Sequence, residues 1–246
     1  MFYGGALMPI IDYFKRRLHR EIVADPVLHG LVLNLYLNGE QYPHRVDDYF
    51  PIAYVENPEL AALMLRHCRE EDKHVALYSK AVEKLEQPVL ELPFSDIFNA
   101  VIRGYTLESF AVRAEQNTDE WRLRLAHFLA HAHTLEKRVA RSLEYHLEAC
   151  AQAESPYPEK AVSAVLADEY QHVSYTGEWV RELLPRSQAI EVFAHHAQAE
   201  ARANLDFSAQ QLSKLLRLHQ ARFPRLSQQL YRGVTYFMKK QLARHA

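Results

Sequence analysis

Glycine is scarce, with seven in 246 residues, and alternating apolar and polar runs are few, which argues against a sheet held by tight turns. Only two cysteines occur, Cys68 and Cys150. They make no disulfide framework and point to a reducing compartment, so the expected location is cytoplasmic. No apolar run reaches the length of a transmembrane segment. The apolar start, Met1 to Ile11, has no basic stretch before it of the kind a secretory signal carries. Neither sign of charge dominates: the formal net charge is −2, which gives no reason to expect nucleic acid as a partner. Glycine-rich nucleotide loops, CxxC pairs and flavin signatures are also missing, so electrons for any redox reaction would come from a separate reductase or from the substrate.

Against this background two Glu-x-x-His pairs stand out, Glu71/His74 and Glu169/His172, each inside a helical apolar stripe. The first stripe runs through Leu60, Met64, His67, Glu71, His74, Tyr78 and Val82, the second through Val162, Val165, Glu169, His172, Thr176 and Trp179. Residues three apart on a helix share a face, so each pair can offer a carboxylate and an imidazole to one metal ion. Ionised carboxylates on a buried helix face are costly unless paired or coordinated. Upstream of each pair lies one more acid, Glu40 and Glu136. The point midway between Glu40 and Glu71 falls inside the breaker-rich stretch Pro51 to Pro58, and that between Glu136 and Glu169 falls beside Ser155-Pro156-Tyr157-Pro158. In two helical hairpins turning at those points, each lone acid comes level with its Glu-x-x-His partner. Four carboxylates and two imidazoles then converge in mid-bundle, the ligand set of dinuclear iron and manganese carboxylate proteins. Carboxylate and imidazole suit two iron ions, with manganese as the alternative, and the shortage of usable thiolates argues against structural zinc or an iron–sulfur cluster.

The order Glu, Glu-x-x-His, Glu, Asp-Glu-x-x-His over residues 26 to 184 resembles the ferritin-like di-iron carboxylate superfamily, in its O2-activating oxygenase branch. Asp168-Glu169-Tyr170-Gln171-His172 is the most specific part of the likeness. The resemblance implies an all-α fold, a ferritin-like four-helix bundle with additional helices. It implies that Asp168 orients His74 and that Glu70 is placed to do the same for His172, fixing tautomer and basicity. It also implies a non-haem dinuclear iron oxygenase or oxidase that activates O2 to oxidise a small, largely apolar organic substrate.

The expected layout is one helical domain over 1–246, with the metal-binding bundle at 26–184 and a helical extension at 187–246. Helices are expected at 26–50, 58–86, 95–116, 118–150 and 158–184, with a break near Phe223-Pro224 in the tail. The basic, aromatic segments Tyr13 to Arg20 and Leu230 to Lys240 are expected to pack on the bundle or on a second copy in a homodimer. A membrane surface or a lipid-like carrier is the other reading.

Several assignments stay open. Pro43, following Asn38-Gly39, disturbs the helix around Glu40; if that stretch is a loop, the remaining set looks more like a haem-oxygenase-like di-iron oxidase. Glu108 rivals Glu136 as the third-helix acid, or is an acid of the substrate pocket. His67 is an additional ligand or a buried hydrogen-bonding group. Cys68, near the site face, is read as a packing thiol. The other histidines, including His127, His131, His133, His146, His195 and His196, are read as surface or packing residues. Tyr78, Tyr105, Phe110, Val165 and Trp179 are the expected walls of a substrate pocket. An iron-handling or peroxide-detoxifying protein and a metal-free helical scaffold are the competing functions.

Overall fold

The computed structural model describes residues 8–47, 49–106 and 118–244. Among them every regular element is helical: α1 (Met8–Val23), α2 (Pro26–Gln41), α3 (Pro58–Lys84), α4 (Phe98–Gly104), α5 (Thr118–Gln152), α6 (Pro156–Leu183), α7 (Arg186–His219) and α8 (Arg225–Arg244). The starts follow helix-capping chemistry. Asp25 accepts hydrogen bonds from the Val27 and Leu28 amides ahead of Pro26, and Asn57 does the same for Glu59 and Leu60 ahead of Pro58. A side-chain acceptor and a proline at the first helical position both meet the unpaired amides of a helix start.

Four helices position the site. Helix α2 packs on α3, α5 runs along α6, and α3 lies against α6. Their apolar faces meet in one layer built from Leu33, Leu37, Tyr78, Val82, Leu143, Val162 and Val165. Leu60 and Met64 of α3 join Leu125, Leu129, Tyr175 and Val180 in another. The paired acids and histidines of α3, α5 and α6 fall between these layers in sequence on every helix. A fully buried leucine in such a layer contributes about 2 kcal/mol, which fixes the register of the polar girdle between them. Helices α1, α2, α7 and α8 share a further cluster around Ile22, Leu28, Leu212, Leu216 and Tyr231. The aromatic, basic terminal segments are therefore partly accounted for by packing within the chain.

Helix lengths depart from the sequence expectation in two places. The first bundle helix ends at Gln41 rather than near 50, because Pro43 cannot donate in the ladder and the chain tightens into a 3-10 turn at Tyr42–Arg45. Glu40 sits in the last α-helical turn. The helix expected over 95–116 is a 3-10 turn at Phe94–Asp96 followed by α4, ending at Gly104; residues 107–117, with Glu108 and Phe110, lie outside the described residues. An unanticipated clip holds segment 88–92 along α2. The Asn34 amide donates to the Pro88 carbonyl and its oxygen accepts from the Leu90 amide; one turn on, Asn38 donates to the Leu90 carbonyl and accepts from Leu92. Two asparagines four apart thereby pair extended backbone that has no strand partner.

Helices α3 and α5 both stop without glycine. Glu86 (φ 56°) and Glu154 (φ 51°) take the left-handed conformation just past them. The following amides return to carbonyls in the last turn, Gln87 to Val82 and Ser155 to Cys150.

Candidate metal centre

Between the two core layers the structure brings together Glu40 from α2, His67, Glu71 and His74 from α3, Glu136 from α5, and Glu169 and His172 from α6, all buried. Two groups of donor atoms are close enough to share an ion each: Glu40, His74 and Glu169 in one, His67, Glu71 and His172 in the other. Within each group the ligand atoms lie within 4.8 Å of one another. His74 Nδ1 is 3.3 Å from Glu40 Oε2 and 3.6 Å from Glu169 Oε1. His172 Nδ1 is 3.2 Å from Glu169 Oε2. His67 Nε2 is 3.0 Å from Glu71 Oε1 and 3.7 Å from Glu136 Oε1, which brings Glu136 to the second group.

The outward nitrogens have partners of their own. His74 Nε2 donates to Asp168 Oδ2 at 3.0 Å, and His172 Nε2 is 2.9 Å from Glu70 Oε2. Each acid directly precedes a ligand-type glutamate on the opposite helix, so α3 and α6 orient one another's imidazoles reciprocally. A carboxylate on the far nitrogen fixes the tautomer and leaves Nδ1 facing the carboxylates. Lys73 in turn pairs with Asp168. His67 is held differently: Tyr175 O–H lies 2.8 Å from Nδ1, and the ring stacks on His172 with centroids 3.6 Å apart.

The electrostatics show what this packing costs. Burial, then the charges of Glu40 and Glu136, push Glu71 well above the usual carboxylate range. Burial with Glu136 and Glu40 does the same to Glu169, and burial with Glu40 raises Glu136 to about 8. Glu40 is the exception: burial opposes its ionisation, but the hydrogen bond and charge of His74 hold it low. His74 is raised, since Glu40 and Asp168 outweigh burial. Burial lowers His172 and, with the neighbouring imidazoles, His67. Glu169 Oε1 is buried with no hydrogen-bond partner. Three acids driven toward neutrality by burial and by neighbouring carboxylates, an orphaned carboxylate oxygen, and the imidazoles of His67 and His172 kept neutral by burial are a donor set that fits two hard-to-borderline cations such as ferrous iron or manganese.

A cavity of about 160 Å³ reaches Glu40, Glu71 and Glu136 from the side. Its walls are Leu35, Tyr36, Phe98, Val139 and Phe207, with Asn99, Arg138 and Asn204 as polar points. These are not the walls expected from sequence. Tyr78 and Val165 fill the core layer instead, Trp179 packs on the other layer, and Tyr105 is exposed. Helices α4 and α7 supply Phe98, Asn99, Asn204 and Phe207 to the cavity lining, and no sequence signal marks α7 as a neighbour of the site. Sequence reasoning also missed Tyr175 as the partner of His67, although His172-x-x-Tyr175 places it on the ligand face of α6. No protein-family model, curated protein or solved structure matches the chain. Its function is read from this geometry.

Proposed function

We propose that the chain is a non-haem dinuclear iron oxygenase or oxidase on a ferritin-like helical bundle, oxidising a small, largely apolar organic substrate with O2. The observation that carries the proposal is the reciprocal arrangement on α3 and α6. Each Glu-x-x-His pair faces the other, and the outward nitrogen of each imidazole meets an acid from the opposite helix, 3.0 Å away for His74 and 2.9 Å for His172. Glu40, His74 and Glu169 would hold one ion, and Glu71, His172 and Glu136 the other, with His67 as an added nitrogen donor. Manganese is the alternative metal. When bound, two ferrous ions supply the electrons and open coordination positions that O2 reduction requires.

The chain's own residues do the rest. Asp168 and Glu70 keep the far imidazole nitrogens protonated, so that the near ones stay free for coordination. The apolar layers above and below exclude bulk water, which strengthens charge interactions within the site. Glu40, Glu71 and Glu136 border the cavity, so a substrate lodged there meets the centre on that side. Its volume is close to that of an engineered cavity known to hold benzene, which limits the substrate to a small molecule. Asn99, Asn204 and Arg138 are the polar side chains of the cavity lining, the points at which a polar substituent of the substrate would be met. No described helix is long and apolar enough to cross a membrane. Electrons for further turnovers would come from a separate reductase or from the substrate.

The test is O2 uptake by protein loaded anaerobically with ferrous iron. Loaded protein is expected to consume O2 rapidly and His172→Ala only at the rate of free iron. Equal rates would contradict the reading.

A further inference from the structure

A second group of potential ligands lies apart from the carboxylate girdle and shares no residue with it. His29 on α2 and the pair His146 and Cys150, one turn apart on α5, are buried together, with one ring nitrogen of each histidine and Cys150 Sγ within 4.8 Å of one another. The two Nε2 atoms are 2.9 Å apart, and Sγ is 3.9 Å from His29 Nε2. We propose that His29, His146 and Cys150 form a separate mononuclear site for a thiophilic metal ion of the zinc class.

Three observations support it. The first is distance. With metal–nitrogen bonds of about 2.0 Å and a metal–sulfur bond of about 2.3 Å, ligand atoms around one ion stand about 3.3–3.8 Å apart. The His29–Cys150 gap of 3.9 Å is slightly long and the 2.9 Å between the nitrogens slightly short, so shifts of about half an ångström or less bring both to these separations. The second is orientation. The Tyr36 hydroxyl lies 3.4 Å from His146 Nδ1, which directs Nε2 inward as the outer partners of metal-bound histidines do. The third is an unsatisfied donor. His19 of α1 sits edge-on to His146 with ring centroids 5.6 Å apart, and its buried Nδ1 has no hydrogen-bond partner, so an unpartnered imidazole nitrogen lies next to the group though outside the trio of close donor atoms. Burial keeps these imidazoles neutral, lowering His29 to about 4 and His19 to about 3. Neutral imidazole is the form that coordinates. Burial raises the Cys150 thiol to about 12, so binding a divalent ion displaces the thiol proton to solvent as the sulfur–metal bond forms.

Two histidines with a cysteine set this site apart from the oxygen-rich centre, because thiolate selects softer ions. That difference gives a readout specific to it. Cobalt(II) chloride is titrated into the metal-free full-length protein, and the near-ultraviolet thiolate-to-cobalt absorption is followed. The expected band saturates at one cobalt per chain, persists in His172→Ala and Cys68→Ser, and is absent from Cys150→Ser. Tyr36→Phe is expected to weaken cobalt binding about 10- to 100-fold. No thiolate band in the wild type, or a band that survives in Cys150→Ser, would overturn the proposal. If Cys150→Ser fails to fold by circular dichroism, His29→Gln takes its place: a band at an unchanged midpoint in that variant overturns the proposal, and a loss or a tenfold shift sustains it.

Discussion

Acid should unfold this protein early and steeply. Burial holds His19, His29, His131, His146 and His196 as neutral imidazoles, with His19 and His131 lowered to about 3 and His29 to about 4. In the unfolded chain each returns to about 6.5. A folded value depressed below the unfolded one means that the stabilisation is complete above about pH 6.5 and is lost as pH falls toward the folded values. Between about pH 6 and pH 4 the unfolded state binds one more proton per histidine, and each contributes a slope of about 1.4 kcal/mol per pH unit. In metal-free protein the raised Glu71, Glu136 and Glu169 act in the opposite sense, binding protons in the folded state over this range, so five histidines set against three acids leave a net of about two protons and about 3 kcal/mol per unit. Over two units below pH 6.5 this removes about 6 kcal/mol, comparable with a typical total stability of 5–15 kcal/mol. Far-ultraviolet circular dichroism of metal-free protein from pH 7 to pH 4, with proton uptake measured alongside, reads this directly. An unchanged urea midpoint at pH 4.5, or no net proton uptake on unfolding, would contradict this linkage.

Other perturbations act on the centre and on the helix ends. Asp168→Asn keeps the size of the side chain but removes the charge that orients His74, and iron affinity should fall about 10- to 100-fold by equilibrium dialysis. His172→Ala and Glu71→Ala should each lose at least one of the two metals by elemental analysis; full occupancy in both would break the ligand assignment. Glu154 is left-handed beyond α5, where a side chain costs about 1–2 kcal/mol, so Glu154→Gly should raise stability by about 0.5–1 kcal/mol in urea unfolding once the entropy of glycine is set against it. Gly233 lies within α8 with nothing near its missing Cβ, and Gly233→Ala should gain a similar amount.

What was legible in the sequence follows from helical periodicity. Glu71/His74 and Glu169/His172 recur on one helix face whatever surrounds them, and hairpin geometry carries Glu40 and Glu136 to their level once Pro58 and Pro156 mark the turns. Pro43 disturbs the chain only after Gln41, so Glu40 keeps its helical direction. The nearness of His67 to Glu136 depends on how α3 and α5 close against one another, which no local spacing encodes. The cavity was out of reach for a related reason: Phe98, Asn204 and Phe207 come from α4 and α7, far apart in the chain and apposed only by tertiary packing. The asparagine clip at Asn34 and Asn38 is visible in retrospect as polar residues four apart on an otherwise apolar helix. The group of His29, His146 and Cys150 spans α2 and α5 with no motif, and its members read singly as packing residues.

The proposed function stands on a pair of metal ions held by Glu40, Glu71, His74, Glu136, Glu169 and His172. Anaerobic titration of metal-free protein with ferrous iron, followed by desalting and elemental analysis, counts these ions, and the Cys150→Ser background keeps the thiolate group from adding to the count. Two irons retained per chain, falling to one or none in His172→Ala, are expected. No retained iron, or the same iron content in both proteins, would contradict it.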